Sequence, residues 1–177
     1  MTVKLLKRPR GLSLIEVLIS LMVLGVALLG LGGLQIAAVK GSTNAHLITT
    51  ASMLAMDFSD RMRANLDGVE AGYYAENIAC NEAVPICRFS GSNCTVQELS
   101  KYDIQEIKCG TKIGTKREGG VVNLLPNGSF DVACNNPGGC LAPKAVHTVT
   151  ITWNEQSIED NQTAIDHQKT FVVPVIP

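Results

Sequence analysis

No charged side chain occurs from Val17 to Val39, a gap of 23 residues. A helix of that length spans about 35 Å, enough to cross a hydrocarbon core of roughly 30 Å. The gap excludes an ordinary water-facing segment and makes this a membrane-span candidate. Proline is missing between Leu12 and Val84, so nothing there forces a helix to break. Cysteine is missing before residue 80, although six follow. An excess of base is missing too: 15 Lys and Arg face 16 Asp and Glu, for a net charge of −1, which argues against a nucleic-acid partner. The chain has no P-loop, Gly-x-Ser-x-Gly, HExxH or paired-carboxylate motif, so no catalytic residue and no cofactor is expected. The apolar fraction of 46% lies in the globular range and excludes wholesale disorder.

The charge that is present is unevenly placed. Residues 1–11 carry Lys4, Lys7, Arg8 and Arg10 and no acid, and residues 12–39 carry Glu16 alone. Residues 40–177 carry 11 bases and 15 acids. The basic flank places the N-terminus in the cytoplasm and residues 40–177 across the membrane. A removable signal peptide fits poorly, because the apolar run exceeds the usual 7–15 residues or so and no good small-x-small site follows it.

Glu16 sits four residues into the apolar stretch that begins at Leu12. A carboxylate in lipid costs roughly 2.5–3.5 kcal/mol at a helix centre, so Glu16 either reaches the headgroups or meets a positive partner. The run Arg10-Gly11-Leu12-Ser13-Leu14-Ile15-Glu16-Val17 resembles the class III signal of type IV pilins and pseudopilins. The resemblance implies cleavage between Gly11 and Leu12 by a prepilin peptidase, with Leu12 as the N-methylated first residue. Leu stands where the family usually has Phe. Glu16 would then pair with the N-terminal amine of a neighbouring subunit during assembly, an attraction strengthened by low dielectric. Gly25, Gly30, Gly32 and Gly33 read either as close-packing positions or as helix weakeners, each worth about 1 kcal/mol relative to Ala.

From Gly41 to Leu66 the spacing is helical. Leu47, Ala51, Leu54, Phe58 and Met62 form one stripe, flanked by Ile48, Ala55 and Leu66, and Met53, Met56, Phe58 and Met62 read as core packing. Asp57 and Arg61 are placed to pair across one turn. The helix is expected to run from Leu12 to Asn65, 54 residues or roughly 80 Å. Ala55 to Asn65, with its Asp60-Arg-Met-Arg-Ala-Asn65 end and the Gly- and Tyr-containing loop from Gly68 to Tyr74, resembles the minor pilins known as type IV pilus modification proteins. Leu28 to Gln35 and the segment Val149 to Trp153 are similar to that group as well.

Residues 67–120 read as loop-rich, with a short helix from Thr95 to Tyr102. Val121–Cys134 reads as a hairpin, with Val121–Leu125 and Ser129–Val132 flanking Pro126-Asn127-Gly128. Ala145, His147, Val149, Ile151 and Trp153 alternate with three threonines, which predicts a half-buried strand. Lys169–Ile176 reads as a further strand, with Pro174 marking an edge. The fold class is α+β, with a long N-terminal helix packed on an antiparallel sheet. Four parts follow: a leader at 1–11, a span at 12–39, an amphipathic helix at 40–66 and a β-rich head at 67–177.

Cys80, Cys87, Cys94, Cys109, Cys134 and Cys140 all lie in the exported part and read as up to three disulfides. Cys134–Cys140 is the best local pair, and two bridges are expected among the other four in an unspecified pairing. Their spacing lacks the paired C-x₂₋₄-C of a zinc site, so no metal is expected. His46 falls on the helix, His147 in the packed face of a strand and His167 in a loop. The Asn-x-Ser/Thr triplets at Asn93, Asn127 and Asn161 are at chance level.

The resemblance implies a minor pilin, held in the inner membrane with a periplasmic head and then incorporated into the pilus at the cell surface. It would prime filament assembly and support twitching motility and adhesion, with other minor pilins, the major pilin, the prepilin peptidase and a tip adhesin as partners. Two alternatives remain open. One is a type II secretion pseudopilin. The other is a bitopic membrane protein with a periplasmic ligand-binding domain.

Overall fold

The computed structural model describes residues 11, 13–88, 93–134, 140, 145–157 and 165–175, with backbone alone at 156–157 and 165–167. The chain divides into two units, Met1–Thr43 and Asn44–Pro177.

In the first unit, helix α1 (Leu14–Ala64) begins one residue after Ser13, whose carbonyl accepts from the amides of Glu16 and Val17. Leu, Met and Ala dominate this part and favour helix. No described residue from Leu14 to Thr43 is buried. The Ser20 and Thr43 hydroxyls donate to the Glu16 and Val39 carbonyls one turn back, so neither leaves a free donor on the apolar surface. A Cβ at Gly25, Gly30, Gly32 or Gly33 would meet nothing within 4 Å, and α1 passes through these glycines as unbroken helix.

In the second unit, α1 becomes one-sided. Leu47, Ala51, Ala55, Phe58 and Met62 are buried at spacings of three and four. Ile48 and Leu66, expected beside this stripe, are exposed, as are Met53 and Met56, which were expected in the core. Each of these lies off the face that meets the rest of the unit. A short helix α2 (Leu66–Glu70) and a 3-10 turn (Tyr73–Ala75) follow. Helix α3 (Val96–Cys109) runs 14 residues and continues seven residues past Tyr102, where the sequence placed its end. Its start is a capping box: the Thr95 hydroxyl accepts from the Glu98 amide, and the Glu98 carboxylate accepts from the Thr95 amide.

Strands β1 (Thr111–Ile113) and β2 (Lys116–Glu118) form a small hairpin. Gly119 and Gly120, with φ of 76° and 73°, then turn the chain into helix α4 (Gly120–Leu124). A side chain on Gly120 would strike the backbone of Gly110 and Cys109, so only glycine fits there. The expected strand over Val121–Leu125 is therefore corrected to a helix. The Asn123 amide holds this turn by donating to the carbonyls of Cys109 and Gly119, at 3.0 and 2.8 Å. The Pro126-Asn127-Gly128 turn survives, with Asn127 at a φ of 50°, but it joins a helix to a strand.

Strands β3 (Ser129–Cys134), β4 (His147–Ser157) and β5 (Ile165–Val175) form an antiparallel sheet in that order. Ala145, His147, Val149, Ile151 and Trp153 are all buried, as their alternation predicts. Pro174 lies on β5, an edge strand whose outer side needs no ladder donor. His167, expected in a loop, lies on β5 opposite Glu155. At the core, the Phe58 ring stands edge-on to Tyr74 at 5.7 Å and to Phe130 at 4.9 Å, joining α1 to the sheet. The architecture is α+β and pilin-like.

Candidate functional site

The N-terminal motif is the first element to build. Gly11 is exposed, while Leu12 and residues 1–10 lie outside the described residues. Glu16 occupies the first turn of α1, where the helix dipole favours a negative charge. Its side chain is exposed, and its carboxylate has no partner among the described residues. Around it stand Leu14, Ile15, Val17, Leu18 and Ile19, all more than two-fifths exposed. No Lys, Arg or His stands beside this carboxylate among the described residues.

A second constellation ties α1 to α3. The Arg61 guanidinium contacts Asp57 at 3.0 Å, Asp103 at 3.2 Å and Glu106 at 3.0 Å. Tyr74 donates its hydroxyl to Asp103 at 2.7 Å, and the Asn65 amide donates to the Tyr74 oxygen and the Val96 carbonyl. The sequence pointed to the Asp57–Arg61 pair. Asp103 and Glu106 lie more than forty positions away, beyond the reach of any local pattern, and so went unseen. Within the Asp60–Asn65 run, Arg61, Met62 and Asn65 turn inward, while Asp60 and Arg63 pair with each other in solvent.

Burial shapes the ionisation of this cluster. It raises Asp103 above the usual carboxylate range, and the bonds from Tyr74 and Arg61 offset that only in part. Burial also opposes ionisation of Glu106, but the combined bonds from Tyr102, Thr111 and Arg61 prevail and lower it. Tyr102 is pushed up to about 12 by burial and by its bond to Glu106, so it remains a donor. The cluster is a structural clamp in which Arg61, Asp57, Asp103 and Glu106 are all engaged.

The cysteines pair as Cys80–Cys109, Cys87–Cys94 and Cys134–Cys140. Ligand atoms of Cys134, Cys140 and His147 lie within 4.8 Å of one another, but the two sulfurs are bonded to each other and offer no thiolates to a metal. His147 is enclosed in the sheet's inner face. Its Nδ1 lies 3.1 Å from the Ala145 carbonyl, and its Nε2 has no partner among the described residues. Burial lowers its pKa against the opposing effect of that carbonyl, so the ring is neutral at pH 7.

Residues 6–32 match the model of the prokaryotic N-terminal methylation motif. Residues 33–105 match the Tt1218-like model, described as type IV pilin Tt1218. The matches abut between residues 32 and 33 and run through the apolar helix into α3. No curated protein and no solved structure matches the chain.

Proposed function

We propose that this type IV pilin, which carries the class III prepilin N-methylation motif, is a minor pilin of the modification-protein (PilV) type. The observation that carries the reading is Glu16: a carboxylate in an apolar collar with no partner among the described residues, five residues after Gly11, at the head of a helix with no buried side chain before residue 44. Cleavage after Gly11 leaves an α-amine on Leu12, and Glu16 of one subunit pairs with the amine of another as the helices pack. The peptidase that cuts the leader and the other pilins that pack on α1 are the partners. The 12–39 helix anchors the chain in the inner membrane, and the disulfide-bonded residues that follow face the periplasm. The Asp60–Asn65 run and the cysteine-rich head favour a place in a priming or tip complex that supports twitching and adhesion over a place in a secretion pseudopilus.

The test is a deletion strain complemented with the native chain or with Glu16→Ala. Native complementation restores twitching, and Glu16→Ala is processed normally but co-purifies with partner pilins about tenfold less, a change of about 1.4 kcal/mol. Lost protein secretion with intact twitching in the deletion strain would favour a pseudopilin. Undiminished co-purification of Glu16→Ala would remove the assembly role.

A further inference from the structure

A cleft of about 150 Å³ opens between the 84–88 segment, α3 and the β1–β2 hairpin, and nothing in the N-terminal chemistry uses it. Three cations line it: Arg88, Lys112 and Arg117. Lys112 and Arg117 are directly opposed in the hairpin register, a placement that costs stability when two like charges face each other. Arg117 spends its bonds on neutral acceptors, the Cys80 and Gly110 carbonyls and the Gln105 side chain, so its charge is held in place without being neutralised. Lys112 is exposed and has no partner among the described residues. Arg88 reaches Glu106 only at 3.5 Å and is about half exposed. Glu106 is the single acid in the lining among the described residues, and it is already engaged by Arg61 at 3.0 Å.

The remaining lining narrows the chemistry. The Tyr102 and Thr111 hydroxyls both donate to Glu106, at 2.8 and 2.9 Å, and Thr111 Oγ1 also accepts from Arg88 at 3.5 Å, which leaves the Tyr102 oxygen and the second lone pair of Thr111 as acceptors for a ligand's hydroxyl groups. Val84 and Ile86 supply an apolar wall suited to the C–H face of a ring. At about 150 Å³ the cleft is smaller than the roughly 300–1,000 Å³ of pockets for drug-sized ligands, which suits a single ring. We propose that this cleft binds a single acidic sugar of the hexuronate class. Its carboxylate would meet Arg88 and Lys112, its hydroxyls would meet Tyr102 and Thr111, and its ring face would lie on Val84 and Ile86.

The experiment is calorimetric titration of the full chain in detergent with glucuronate, then with glucose, inorganic phosphate and an N-acetylated glutamate amide. Glucuronate is expected to bind saturably. Glucose, and glucuronate against Lys112→Glu or Arg88→Gln, are expected to bind about tenfold or more weakly, in line with loss of a charged hydrogen bond. Both variants change exposed side chains, so their melting temperatures should stay at the native value and certify an intact fold. Absence of saturable glucuronate binding to the native chain would overturn the proposal, as would full retention in Lys112→Glu. Phosphate binding as tight as glucuronate would reduce the cleft to a charge trap and defeat the sugar assignment. Tighter binding of the glutamate amide would make it a protein contact instead.

Discussion

Between Leu14 and Thr43 no described residue is buried, whereas from Asn44 onward Phe58, Tyr74, Ile104, Val121, Val149 and Ile151 are enclosed almost completely. One helix, α1, serves both regions. In the first region its only charged residues are Glu16 and Lys40, one near each end. In the second it carries Asp57, Asp60, Arg61 and Arg63, and three disulfides stand within the same unit. The contrast teaches that a helix obeys its surroundings. The first region presents an apolar surface in every direction and is stable only where lipid or other subunits cover it. The second supplies its own core, and its helix is held by packing on one face and by ion pairs on another.

The contrast is broken most sharply at Phe58. Phe58→Ala removes the ring that joins α1 to Tyr74 and Phe130, and is expected to destabilise the second unit by about 4 kcal/mol, read from chemical denaturation of the detergent-solubilised chain. The same large-to-small change at Leu24, which is 54% exposed, should leave that transition where it is. If Leu24→Ala lowered it equally, the two regions would not be energetically separate.

Arg61→Ala comes next. It takes the guanidinium from Asp103 and Glu106, whose side chains are 6% and 8% exposed, and is expected to cost about 2 kcal/mol, below the usual figure for a buried pair because Arg61 itself is partly open to water and Tyr74, Tyr102, Thr111 and Arg88 still contact the two carboxylates. Arg61→Lys should recover only part of this, since an ammonium cannot span three carboxylates as a guanidinium does. Full recovery would contradict the clamp.

His147 gives a pH signature confined to the second region. Its folded pKa lies below the ordinary value of 6.5, so the unfolded chain binds the extra proton more readily. The stability this provides is complete above pH 6.5 and falls as pH drops below it. Melting temperature should therefore decline between pH 7 and pH 5, and His147→Asn should flatten that decline. An unchanged slope would place the titrating group elsewhere.

The smallest effect is expected at Met56. It is 61% exposed, so Met56→Ala should change stability by no more than about 0.5 kcal/mol. A larger loss would show that this side of α1 is covered by the fold.

These positions also show what the sequence makes legible. The apolar gap, the alternation from Ala145 to Trp153 and the Cys134–Cys140 pair are local patterns, each tied to a helix, a strand or a short loop. Met53 and Met56 misled because hydrophobicity marks them as core, while their angular position on α1 places them outside the buried face. Val121-Val122 misled because a short apolar run rich in β-branched residues reads as a strand, whereas Gly119, Gly120 and the Asn123 bonds impose a helical turn. The start of α3 near Thr95 was legible, but its extension to Cys109 rests on burial of Ile104 and Ile107 in the core. At the candidate site, Glu16 was legible because it interrupts an apolar run. The Arg61 clamp was not, because its carboxylates arrive from a distant helix.

The central claim is that the first region is a processed pilin segment. Intact-mass and peptide mass spectrometry of the membrane-extracted chain tests it directly. The account predicts a mature protein that begins at Leu12 and carries an added methyl group on its α-amine. A chain that retains residues 1–11 would contradict it.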